Sequence, residues 1–116
     1  MPQSDLIQAL RNPGLYSLPN DQSVDFIQTH ISCLFLTADH VYKLKKAVNL
    51  GFLDFSTLGK RHFYCQEEVR LNSRLAPSVY LGVLAVSKNQ AGQFFLGQGK
   101  DLEIVDYVVQ MRRLSE

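Results

Sequence analysis

No charge of one sign dominates this chain, and no apolar run in it is long. Across 116 residues the formal net charge is only +1. Bulk electrostatics therefore give no pull toward nucleic acid or an anionic membrane surface. The densest cluster of like charge is Lys43, Lys45 and Lys46. No segment approaches the roughly 20 apolar residues needed to cross a bilayer. The opening Met1-Pro2-Gln3-Ser4-Asp5 lacks the basic start and apolar stretch of a secretion signal. Cysteine is scarce: Cys33 and Cys65 lie far apart and form no Cys-x-x-Cys. That argues against a disulfide framework and predicts a reducing, cytoplasmic setting. Internal repeats and low-complexity tracts are missing as well.

What is present fits one compact domain over residues 1–116. Apolar residues make up 46% of the chain and charged residues 20%, enough for a core and an ordinary surface. Ser4 is a candidate cap for a short helix whose apolar side is Leu6, Ile7 and Leu10. Asn12-Pro13-Gly14 ends it, and Tyr16 to Ser23, with Pro19, Asn20 and Asp21, reads as a loop. Alternation from Val24 to Thr29 predicts a strand. Cys33–Thr37 and Val41–Lys45 predict two more, the latter with Val41, Lys43 and Lys45 on one face and Tyr42 and Leu44 on the other.

An apolar link over 49–55 follows, with Ser56 as the candidate cap of a long helix from about Thr57 to Leu75. Tyr64, Glu68, Leu71 and Leu75 fall on one face of it, which is expected to meet the sheet. Phe52, Phe55, Phe63 and Tyr64 are expected to pack helix to sheet. Pro77 stops the helix. Strands are predicted over Val79–Val86, Phe94–Leu96 and Ile104–Met111. The fold class is α+β: an antiparallel sheet of five or six strands, one long helix packed on it, and a short N-terminal helix.

Three strands, a long helix and further strands is the layout of a protein-kinase-type N-terminal lobe. Lys43, in Tyr42-Lys43-Leu44, sits on the third strand; Glu67-Glu68 sits in mid-helix. The strings GFLDFSTL (51–58) and EEVRLNSRLAP (67–77), together with VYLGV (79–83), resemble the N-terminal part of bacterial aminoglycoside phosphotransferase-like proteins, in a branch where a P-loop ATP-binding domain follows. The likeness runs from about Asp5 to Leu114.

The resemblance implies an ATP-dependent phosphotransferase acting on a small-molecule acceptor. It implies a strand lysine on the ATP phosphates, Lys43 with Lys45 as the alternative, and a helix glutamate fixing that lysine, Glu68 with Glu67 as the alternative. Met111 and Arg112 would meet the adenine through their backbone. The chain holds no His-x-Asp catalytic loop and no Asp-Phe-Gly-like metal site, so a second lobe would hold Mg2+ and the chemistry. The lobe alone is then expected to be inactive, a fragment of a longer protein. The loop Thr29-His30-Ile31-Ser32 departs from a Gly-x-Gly-x-x-Gly pattern.

The residues alone also admit plainer readings. Lys43 and Lys45 could be solvent-facing strand residues. Glu67 and Glu68 could pair with Arg70 or Arg74 on an exposed helix face. His62 and Cys65, three apart, do not make a metal site. Cys65 reads as a packed helix residue and Cys33 as strand core. A competing function is a kinase-shaped interaction module without chemistry, whose uncovered apolar surface drives self-association.

Overall fold

A computed structural model describes residues 3–19 and 21–114; Asn20, expected in a loop, lies outside the described residues. Short helix α1 (Ser4–Leu10) leads into a 3-10 turn (Pro13–Tyr16), followed by strands β1 (Asp25–Gln28), β2 (Ser32–Leu36) and β3 (His40–Lys45). Helix α2 (Leu58–Asn72) precedes β4 (Tyr80–Lys88), β5 (Phe94–Leu96) and β6 (Glu103–Arg112). The strands form one six-stranded antiparallel sheet in the order β1-β2-β3-β6-β4-β5. The last strand thus lies in the middle, against both β3 and β4.

Alternation along the strands separates two faces. Cys33, Phe35, Tyr42, Leu44 and Val108 point to one side. There Leu6, Ile7 and Leu10 of α1 close a buried apolar core with them and Val86. The 3-10 turn adds Leu15 and Tyr16, the latter with its ring 4.8 Å from that of Tyr42. α1 is therefore the cover of the principal core. Lys43, Lys45 and Val109 point to the opposite side, beneath α2.

Local chemistry sets the ends of these elements. Asn12 caps the 3-10 turn, its side chain accepting from the Gly14 N–H at 3.0 Å. Gly97 has a φ of 98°, a region that disfavours side chains, and its N–H reaches Ala85 O at 2.7 Å to close the end of β5 onto β4.

Several expectations from the sequence need correction. Gln3 occupies the N-cap position of α1, and Ser4 is already inside the helix. Thr57, not Ser56, caps α2, accepting from the Lys60 N–H at 3.2 Å. α2 ends at Asn72 rather than Leu75, so Leu75 never joins its inward face. Leu75 is 86% exposed and Leu71 is exposed too. Phe52 and Phe63 are also exposed, leaving Phe55 and Tyr64, edge to face at 5.2 Å, as the aromatics between link and helix. Cys33 and Cys65 are both fully buried, as expected of packed residues.

Leu10→Ala, at the centre of the α1 cover, should lower unfolding free energy by about 2–5 kcal/mol. Leu75→Ala should change it by less than about 0.5 kcal/mol. Urea titrations of the two variants would check both.

Candidate functional site

The inward stripe of α2 is polar. Arg61, Cys65 and Glu68 follow at i, i+4 and i+7 and share one face. Arg61 and Cys65 are buried, and the Glu68 side chain is only 12% exposed. β3 runs beneath this stripe, and its alternation delivers both Lys43 and Lys45 to it. Glu68 takes one lysine on each carboxylate oxygen. Lys45 Nζ donates to Oε1 at 2.7 Å and Lys43 Nζ to Oε2 at 3.2 Å.

The two lysines are held differently. The Lys45 side chain is 7% exposed, and its ammonium lies 5.1 Å from the centre of the Phe55 ring, in cation–π range. Lys43 is 27% exposed. Both border a groove of about 480 Å³ whose walls include Ile31, Phe55, Tyr64, Leu71 and Tyr80. Ile31 comes from the tight β1–β2 turn, where Thr29 Oγ1 accepts from the N–H groups of Ile31 and Ser32. Ser32 lies across from Lys45, and its buried hydroxyl has no hydrogen-bond partner among the described residues.

Burial by itself would raise the carboxyl pKa of Glu68. The hydrogen bonds and charges of Lys45 and Lys43 outweigh that and hold it below its ordinary value. Burial likewise pushes the Cys65 thiol up to about 11, so it stays protonated at neutral pH. With Glu68 ionised, two ammonium groups face one carboxylate. The trio keeps one positive charge beside an aromatic and aliphatic groove, a setting suited to an anion with an apolar body.

The other candidate residues are placed as follows. Glu67 also borders the groove, but it pairs with Arg70 at 2.6 Å rather than with either lysine. Lys45 joins Lys43 on Glu68 rather than replacing it. Met111 lies opposite Val41 and Tyr80, still inside the sheet. The Arg112 N–H is taken by Val79 O at 2.7 Å and its Nε–H by Ser78 O at 3.0 Å. His62 stacks on Tyr107 with ring centres 3.7 Å apart.

Sequence reasoning missed a buried cluster behind the lysines. Asp106 on β6 is 1% exposed and accepts from Arg61 Nε at 3.1 Å and Gln3 Nε2 at 2.8 Å. Its only sequence signal is a carboxylate amid the apolar run Ile104-Val105-Asp106-Tyr107-Val108-Val109.

Among known proteins, an uncharacterized protein of Mycobacterium tuberculosis and another of Mycobacterium bovis are each 35% identical to this chain over 77 residues. That stretch is 66% of this chain but only 16% of either relative's length. No family model matches the sequence, and no solved structure matches it.

Because the pKa of Glu68 is depressed on folding, its contribution to stability is present above the unfolded value, near 4.5, and is lost as pH falls through the lower folded value. The stability gap between the natural chain and Glu68→Gln should therefore be widest at neutral pH and close in acid. Lys45→Met should cost about 3 kcal/mol, because it strips a largely buried carboxylate of its closer partner. Lys43→Met, at the more open lysine, should cost less than about 1 kcal/mol. Denaturant unfolding across pH checks all three.

Proposed function

We propose that this chain is the nucleotide-binding lobe of an ATP-dependent small-molecule phosphotransferase resembling the aminoglycoside phosphotransferases. The observation that carries the reading is Glu68 reaching from α2 to Lys43 and Lys45 on β3 at the edge of a groove. The insertion of α2 directly after the third strand and the central position of β6 support a kinase-type lobe.

The residues fit a nucleotide in charge and shape. The surplus ammonium charge suits phosphate oxygens and the walls of Tyr64 and Tyr80 suit an apolar body, although Met111 and Arg112, to which the resemblance assigns the adenine, do not line this groove. Lys43, the more open lysine, is the contact to phosphate, and Glu68 holds it in place. Bound ATP would supply the phosphoryl group; this lobe's part is positioning and charge stabilisation. On this reading the catalytic base and Mg2+ ligands come from a further lobe.

In the full-length gene product, Lys43→Ala should lower phosphotransfer by about 10²–10³-fold, the scale for losing one preorganised charge contact, while the protein stays folded. Unchanged turnover and ATP affinity would overturn the assignment.

The exposure of Phe52 and Leu75 favours a second reading, a kinase-shaped interaction module whose apolar surface finds partners. On that reading the 116-residue chain associates with itself, and light scattering shows its mass rising with concentration. A constant monomer mass would remove this reading.

A further inference from the structure

Behind the lysines, the segment ahead of α1 makes contacts that the apolar core does not require. The Gln3 side chain is buried and uses its whole amide. Its Oε1 accepts from the Ala47 N–H at 3.0 Å, and its Nε2 donates to Lys45 O at 3.1 Å and to Asp106 Oδ2 at 2.8 Å. One side chain thus grips the β3 backbone at Lys45 and again two residues on. Asp106 Oδ1 accepts from Arg61 Nε at 3.1 Å and from the Tyr107 N–H at 2.9 Å. Arg61 Nη1 donates to Phe55 O at 2.9 Å, fixing the residue whose ring lies beside the Lys45 ammonium.

Arg61 and Glu68 are seven residues apart on α2, close to two full turns, so they share a face. Fixing Arg61 against Asp106 therefore fixes the rotation of α2 and with it the direction of Glu68. A rotation of about 20° would move a carboxylate about 6 Å from the helix axis by about 2 Å, enough to break both lysine contacts.

We infer that Gln3, Asp106 and Arg61 are positioning residues of the lysine–glutamate site, so that the site is set only while the N-terminal segment is seated. Gln3 fixes the strand carrying Lys45, Arg61 fixes the helix carrying Glu68, and Asp106 ties one to the other. The N-terminal segment thereby couples to the ligand groove from the opposite face of the sheet. This geometry stands whether or not the groove takes ATP; its use as a control on nucleotide binding rests on the function proposed above.

The test follows the Glu68 carboxyl by carbon-13 NMR in the 116-residue chain. The groups facing it are Lys43 and Lys45 on β3, Tyr80 on β4 and Cys65 on its own helix. In Gln3→Ala its titration midpoint should rise toward the ordinary value of 4.5, as the lysines lose their hold. Arg61→Lys keeps a charge near Asp106 but cannot also reach Phe55 O, and should give a smaller rise in the same direction. Phe35→Leu, a core change on β2 away from the cluster, should lower the melting temperature without moving the midpoint. Should Gln3→Ala not fold, Arg61→Lys decides alone. An unmoved midpoint in the folded Gln3 and Arg61 variants overturns the inference, and so does an equal rise in Phe35→Leu. If the midpoint rises as expected while Lys43→Ala leaves ATP affinity unchanged in the full-length protein, the positioning role stands and the nucleotide reading falls.

Discussion

The arrangement depends on one buried carboxylate in the central strand. Asp106 sits where β3 has ended beside β6, so its side chain meets groups from both covering layers. Burying a charge is costly unless it is paired and hydrogen-bonded, and Asp106 meets that condition with a guanidinium, an amide and a backbone N–H. Loss of either charged partner alone would leave the other buried and uncompensated, a cost of about 3–5 kcal/mol. Hydrophobic contacts are non-directional and would let α2 settle at several rotations. The Asp106–Arg61 contact selects one.

That selection matters because α2 has no apolar stripe of its own. A surface helix is commonly held to a sheet by aliphatic side chains at helical spacing. Here the inward positions are Arg61, Cys65 and Glu68, while Leu71 stands half-exposed at the rim of the groove. The helix is moored by ion pairs to β3 and β6. The two faces of the sheet divide the work accordingly. The face under α1 is an apolar core; the face under α2 has Val109 and Ala85 at its base and charged groups at its margin. Burial in an apolar core disfavours an ammonium group, and Lys43 and Lys45 meet Glu68 at this margin instead.

Alternation is a local property, so strand identity and the shared face of Lys43 and Lys45 were legible along the chain. The α+β class, both helices and a sheet of five or six strands follow from periodicity, while the end of α2 at Asn72 falls short of the Pro77 breaker expected to set it. The choice of Glu68 over Glu67 was also legible, yet for a mistaken reason. It leaned on Leu71 and Leu75 as inward neighbours, and the structure exposes both. Glu68 faces inward because Arg61 and Cys65 do.

By itself, then, the sequence determined the elements, their order and which residues share a strand face, because these depend on spacing within a few residues. Only the tertiary structure decided that one glutamate holds two lysines, that Lys45 is the more enclosed of them, and that Gln3 reaches Asp106 across 103 positions of sequence. Those contacts join residues whose local patterns carry no trace of each other. They arise when β6 inserts between β3 and β4 and brings a buried carboxylate between two helices.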